Sequence, residues 1–167
     1  NINKFNFNKF FARQIEGELL FKKEVIYGKD LKFNSCDGQI VSNFTLENTN
    51  KKYLFTTNAS IENINIKNMF YQLNDFNQGN LKHNNIKGSL SSNIYLQQEW
   101  DYKFKGNYDV FYAFCDVAIE EGELIGYAPL LALSNYIEIE ELKHIEFSTL
   151  ENQIEIKNKK IKIPFME

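Results

Sequence analysis

The feature that most constrains the fold is the alternation of apolar and polar residues at every second position, which recurs along most of the chain. Side chains two residues apart lie on the same face of a β-strand, so this period gives each strand one apolar and one polar face. The abundant Phe, Tyr and Ile residues suit a pleated, half-buried surface. The pattern predicts a mainly-β protein, with a large, twisted and mostly antiparallel sheet of about nine to eleven strands, curled like a groove or half-barrel.

Turn signals divide the alternating runs. Asp37-Gly38 lies between apolar runs and predicts a tight hairpin, because both residue types tolerate positive φ. Lys22-Lys23 predicts a turn, and the polar residues 97–107 predict a long turn or a hairpin end. The alternation slips by one position between Phe114 and Val117, which predicts a β-bulge near Cys115-Asp116.

Two segments carry helical signals instead. Ile66, Met69, Phe70 and Leu73 are spaced as one face of a helix, which predicts a helix near 65–75 with Asn65 as its N-cap. Gly79 is a suitable terminator. Pro129 suits a first helical position and predicts a second short helix over 129–137, with Leu130, Leu133 and Ile137 on its buried side.

The sequence contains two weak internal echoes. LKFNSCDGQI at 31–40 aligns without gaps to IEFSTLENQI at 145–154, which predicts the same hairpin made twice. A shorter word recurs as IEGEL, IKGSL and EEGEL at 15–19, 86–90 and 120–124. Such repeats favour stacked β units, although a composition rich in few residue types also produces them by chance.

Length and charge narrow the class of protein. The 167 residues suit one domain, 1–167, and the net charge of −3 without a basic stripe gives no reason to expect nucleic acid. The chain has no apolar run long enough to span a membrane and does not begin with Met, so we expect a fragment of a longer protein, with any membrane anchor outside this chain. Cys36 and Cys115 form no CxxC pair; we expect free, buried thiols, with a disulfide as the alternative.

No motif of a catalytic or metal site occurs. His83 and His144 lack partners at metal-ligand spacing and are interpreted as solvated or structural. The carboxylates of Glu120, Glu121 and Glu123, and those at 138–141, could form an acid–base or cation site, but clusters that flank turns and helix ends are typical of solvated charge. The sequence therefore indicates a protein that is not an enzyme and has no cofactor.

The apolar residues of the alternating runs are candidates for a lipid groove or, alternatively, for an ordinary core under the two helices. The candidate groove-lining residues are Phe33, Phe44, Phe55, Ile94, Tyr112, Phe114, Ile145 and Phe147.

The C-terminal part of the chain supplies a resemblance. It reads GELIGYAPLLALSNYI at 122–137, EELKHIEFSTLENQIEI at 140–156 and KKIKIPFME at 159–167. These words, in this order, resemble the C-terminal region of AsmA-like cell-envelope proteins of the type seen in the Bacteroidetes, which are related to TamB and the bridge-like lipid-transfer proteins. The resemblance implies a periplasmic, membrane-tethered protein whose β-groove shields phospholipid acyl chains in lipid transport and outer-membrane homeostasis.

Two functions follow as expectations. The first is a non-enzymatic lipid-handling module that holds phospholipid acyl chains. The alternative is a structural or protein-interaction β module without lipid, whose edge strand pairs with another segment of the same longer protein or with an envelope protein.

Overall fold

A computed structural model describes residues 1–49, 51–132 and 140–164 of the chain. These residues form one open, nine-stranded antiparallel sheet in which every strand pairs with the next one in sequence, so the order is β1 to β9 without a crossover. The strands are β1 (Ile2–Phe7), β2 (Phe10–Lys22), β3 (Val25–Ser35), β4 (Gly38–Thr49), β5 (Lys52–Asn65), β6 (Ile86–Asp101), β7 (Gly106–Ile125), β8 (His144–Lys157) and β9 (Lys160–Lys162). The prediction of a mainly-β, antiparallel sheet with two short helices is confirmed.

Strand pairing converts the sequence alternation into two faces. Because directly paired residues point to the same side, their pairs can be followed from strand to strand. One row crosses eight strands, through Leu19, Gly28, Phe44, Thr57, Leu96, Ala113, Ile156 and Ile161. We call the side that carries this row the apolar face. The opposite side, which carries Asn43, Asn58 and Asn93, is the polar face.

Helix α1 (Ile66–Gln72) covers one end of the apolar face. Its Ile66 joins the fully buried core with Ile61, Ile64 and Leu90, and Met69 and Phe70 pack against that cluster. The predicted N-cap is confirmed, since Asn65 accepts a hydrogen bond from the Asn68 backbone N–H at 3.0 Å. The helix ends at Gln72, before a short 3₁₀ turn at Asn74–Asn77, so Gly79 does not terminate it.

The contribution of the Asn65 N-cap to stability can be measured. Asn65→Ala is expected to lower the free energy of unfolding by about 1 kcal/mol, because the N–H of Asn68 loses its acceptor. Urea unfolding followed by circular dichroism measures the difference. Asn48→Ala is the control, since Asn48 is exposed and its side chain bonds to nothing in the described part of the chain. Equal stability of the two variants would contradict the capping role.

The predicted hairpin at Asp37-Gly38 forms one residue earlier than expected. Ser35 pairs with Gly38, and the two turn residues are Cys36 and Asp37, with φ of 49° and 66°. Gly38 is required for another reason, because a Cβ there would overlap the carbonyl oxygens of Glu62 and Asn63. The turn thus brings the β3–β4 hairpin against the end of β5.

Residues 97–107 form the end of the β6–β7 hairpin, one of the two predicted alternatives, with the turn confined to 102–105. Two other sequence predictions, about β7 and β8, are wrong. No bulge lies at Cys115-Asp116, where pairing to Ile94 and Asn93 is regular. Residues 145–154 do not repeat the first hairpin, because they run straight within β8.

Three of the irregularities in the sheet lie at the second echo. Register shifts occur beside Gly17 in β2, beside Gly88 in β6 and around Glu121, next to Gly122, in β7. Gly17 and Gly88 have φ of 142° and 131°, a conformation that a side chain would strain. The recurring Gly-x-Leu word therefore marks bends in the sheet rather than repeated hairpins.

The predicted second helix, 129–137, lies partly outside the described residues. Helix α2 spans Ala128–Leu131 with Pro129 in its first turn, as predicted, and a 3₁₀ turn at Glu140–Lys143 leads into β8. Leu133 and Ile137 lie outside the described residues. None of the described helices is long and apolar enough to cross a membrane.

Candidate apolar binding face

Beyond helix α1, the apolar face carries a ladder of aromatic rings. Phe44 of β4 lies 5.6 Å from Phe55 of β5, and Phe55 lies 5.9 Å from Trp100 of β6, measured between ring centroids. The Phe44 ring occupies the space that a side chain at Gly28 would need. The ladder of rings therefore reaches the backbone of β3 at Gly28.

The helices leave part of this face open to solvent. Helix α1 contacts β5 and β6, at the end of the face that holds Ile61, Ile64 and Leu90. At the other end, Leu19 is 52% exposed, Phe21 is 74% exposed and Ile161 is 66% exposed. Exposed apolar side chains that share one face of a sheet favour a binding surface.

Six of the eight candidate groove residues lie on the apolar side. Phe33, Phe44, Phe55 and Ile94 share the apolar face by their pairing. Ile145 pairs with Leu124, which pairs with Ile86 beside the core, and Phe147 lies over Gly122. Phe33, Ile94 and Ile145 lie toward the helix end, whereas Phe44 and Phe55 lie in the open part.

Tyr112 and Phe114 lie on the polar face, which separates them from the other six. Phe114 pairs with Tyr95, and the Tyr95 and Tyr112 rings are 5.8 Å apart. The apparent slip in alternation between Phe114 and Val117 therefore arises because Tyr112 and Phe114 are aromatic residues on the polar face. The strand does not bulge there. Reading every aromatic residue as apolar caused the error.

The sequence prediction omitted Trp100, Leu19, Phe21, Leu96 and Ile156, which complete the apolar face. Trp100 lies within residues 97–107, whose polar composition predicts a long turn or a hairpin end. The signal for the apolar face was present, since Ile94, Leu96 and Trp100 keep one parity across Gln98.

Both histidines of the chain lie in small ion-pair groups. His83 bonds to Asp75 at 3.0 Å, and His144 lies 3.0 Å from Glu123 and 3.4 Å from Glu146, so both histidines have acidic neighbours that spacing did not reveal. Across the described ranges, no group of three or more His, Cys, Asp or Glu residues is placed to hold a metal ion. The carboxylates at 140–141 have no described side-chain placement, and Glu138 lies outside the described residues.

Glu123 makes the stability of the sheet depend on pH. The hydrogen bond from Lys87, at 2.7 Å, and a second from His144 hold the pKa of the Glu123 carboxyl below its ordinary value. A carboxylate of this kind stabilises the fold above its unfolded pKa of about 4.3, and this contribution is lost as the pH falls through the lower folded pKa.

We therefore expect Glu123→Gln to flatten the fall in stability on acidification. The measurement is the urea midpoint between pH 6 and pH 3, for the wild type and the variant. Glu146→Gln serves as control, because Glu146 is exposed and lies farther from His144. If Glu123→Gln and the wild type lose stability in parallel, the proposed linkage is wrong.

Both cysteines are free thiols. Cys36 is buried in the turn beside Ser35, and Cys115 is half-buried on the apolar face, where it pairs with Ile94. Burial raises the pKa of both thiols above the ordinary value, which keeps them protonated and unreactive at neutral pH.

Comparisons with known proteins add no assignment: no protein-family model, no curated protein and no solved structure matches this chain.

Proposed function

We propose that the open part of the apolar face holds hydrocarbon chains, and that the protein is a non-enzymatic lipid-handling module of a periplasmic, membrane-tethered envelope protein. The observation that carries the proposal is the apolar row from Leu19 to Ile161, which continues across eight strands beyond the end covered by α1. The resemblance of residues 122–167 to AsmA-like proteins supports the same function.

The chemistry of this face suits acyl chains better than a compact ligand. Burying each CH₂ group contributes about 0.8 kcal/mol, and the contact has no preferred direction. The Leu, Phe and Ile side chains of the apolar face therefore bind a chain along its length and let it shift by one methylene at little cost. The headgroup would remain in water beyond the edge of the sheet.

Lipid content tests the proposal directly. The chain is purified from bacterial cells without detergent, and bound lipid is measured by native mass spectrometry and by solvent extraction. We expect phospholipid to be retained, and a delipidated sample to take up lipid again from phosphatidylethanolamine–phosphatidylglycerol vesicles. Recovery of no lipid by either route would contradict the proposal.

A second candidate function rests on the edge of the sheet. Within the described residues, β9 pairs with β8 only at Glu155–Lys157, so the rest of β8 pairs with β7 on one side and with no strand on the other. Such an edge can accept a strand from another segment or protein. This candidate predicts a lipid-free protein whose β8 amides become protected from hydrogen exchange when the partner is added.

A further inference from the structure

The polar face carries an aromatic patch that the lipid proposal does not use. Two adjacent rows cross β4 to β7 there: Asn43, Asn58, Tyr95 and Phe114, and beside them Val41, Ser60, Asn93 and Asp116. We call Asn43, Asn58, Asn93, Tyr95, Phe114 and Asp116 the amide–aromatic patch. Half-exposed rings among amide side chains need a partner other than an apolar core.

The patch forms the floor of a shallow groove. A depression of about 390 Å³ lies over Asn58, Tyr95 and Phe114. A second depression, of about 580 Å³, continues toward β8 and shares the lining residues Ser60, Asn93 and Asp116 with the first. Because the two depressions share these residues, an extended ligand could lie across both.

The amides of the patch have unused hydrogen-bonding capacity. The side chains of Asn58 and Asn93 are exposed and bond to none of the described residues. Each offers an acceptor oxygen and two N–H donors. Asn43 and Asp116 are oriented by the fold, since Asn43 Oδ1 accepts from the Asp30 backbone N–H at 3.0 Å and Asp116 Oδ1 accepts from Gln153 Nε2 at 2.9 Å.

The charge of the lining residues limits the kinds of ligand that the groove can bind. The charged side chains that line the two depressions are Glu62, Asp116 and Glu151, and the described lining includes no lysine or arginine. The groove therefore disfavours phosphates, nucleic acids and acidic polysaccharides. The groove suits a ligand that carries no negative charge, offers hydroxyl groups to the amides and has a flat apolar surface for the rings.

We propose that the amide–aromatic patch binds a neutral oligosaccharide. The C–H face of a pyranose would pack on Phe114 and Tyr95, while its hydroxyl groups would exchange hydrogen bonds with the Asn58 and Asn93 amides and with the Asp116 carboxylate. Sites that combine aromatic surface with a few placed polar groups bind small ligands in this way. This site lies on the side of the sheet opposite the apolar face and does not depend on lipid binding.

Affinity electrophoresis of the 167-residue chain tests the site. Native gels contain β-glucan, mannan, xylan or soluble starch, and isothermal titration with the matching hexasaccharide follows. We expect at least one neutral glycan to retard the chain. We expect Asn58→Ala/Asn93→Ala to weaken its binding by at least about tenfold, because two hydrogen-bonding groups are removed from the ligand.

The controls separate binding from folding. Asn48→Ala removes an exposed asparagine from the other face of β4 and should bind the glycan as the wild type does. Phe114→Leu keeps an apolar side chain but removes the ring, and should also bind weakly at an unchanged urea midpoint. The proposal is overturned by retardation in none of the neutral glycans, or by full binding of Asn58→Ala/Asn93→Ala.

Discussion

Ile64→Ala is expected to lower the free energy of unfolding by about 3 kcal/mol, within the range of about 2–5 kcal/mol typical of buried Ile to Ala changes. Ile64 is 1% exposed, pairs with Leu90 and is enclosed by Ile61, Ile66 and Cys36. Deleting its side chain leaves a cavity under helix α1, in the one buried cluster of the described sheet. Urea unfolding of the variant and the wild type gives the difference.

Ile2→Ala is the matched control, because Ile2 lies in edge strand β1 and is 54% exposed. Its effect should stay within about 0.5 kcal/mol, as for most surface changes. Equal losses in the two variants would mean that stability does not depend on the cluster under α1. The open apolar face would then have to contribute more to folding than our account assigns to it.

Leu19→Glu/Phe21→Glu is expected to reduce retained lipid at least about tenfold while the fold stays intact. Both side chains lie on the open part of the apolar face and are more than half exposed, so charge is tolerated in the free protein. Hydrocarbon that covers them would have to strip water from two carboxylates, which costs several kcal/mol. Lipid extraction measures the loss, and the urea midpoint reports on folding.

The control for this pair is Leu20→Glu. Leu20 lies between the two in β2 and is 46% exposed, but it pairs with Tyr27 and points to the polar face. It adds a carboxylate at nearly the same place in the chain and should leave lipid content unchanged. If Leu20→Glu removes as much lipid as the double variant, binding is not specific to the apolar face.

The fold could be predicted from local rules wherever those rules are strong. Period-2 alternation located the strands, and the spacing of Ile66, Met69 and Phe70 located α1 together with its cap at Asn65. The register could not be predicted, because single residues shift it. Positive φ at Asp30, Asn63 and Glu121 interrupts three strands, and none of these residues is distinguishable by type from the many other Asn, Asp and Glu residues of the chain.

The candidate site was predicted in part for the same reason. Phe44 and Phe55 were found because they alternate cleanly with polar neighbours. Tyr112 and Phe114 were assigned to the wrong side, because an aromatic ring also occurs on a polar face when it has another ring or a ligand to contact. Only the pairing of Phe114 with Tyr95 decides between the two faces.

The two faces give one sheet two kinds of surface. The apolar face joins a buried core under α1 to open side chains at Leu19, Phe21 and Ile161, whereas the polar face presents amides and aromatic rings over a shallow groove. Trp100, the one tryptophan of the chain, lies on the apolar face at the end of the ladder formed with Phe44 and Phe55. Its fluorescence is therefore a local reporter of what contacts that face.

Quenching of Trp100 by brominated acyl chains is the most direct test of the lipid assignment. Trp100 packs beside Phe55 on the apolar face, so contact with a brominated phospholipid or fatty acid should quench its emission. Trp100→Phe/Tyr95→Trp moves the reporter to the polar face and should not be quenched. Quenching of Trp100 alone is the result that our account predicts. Equal quenching of both reporters, or of neither, would contradict the binding of hydrocarbon on the apolar face.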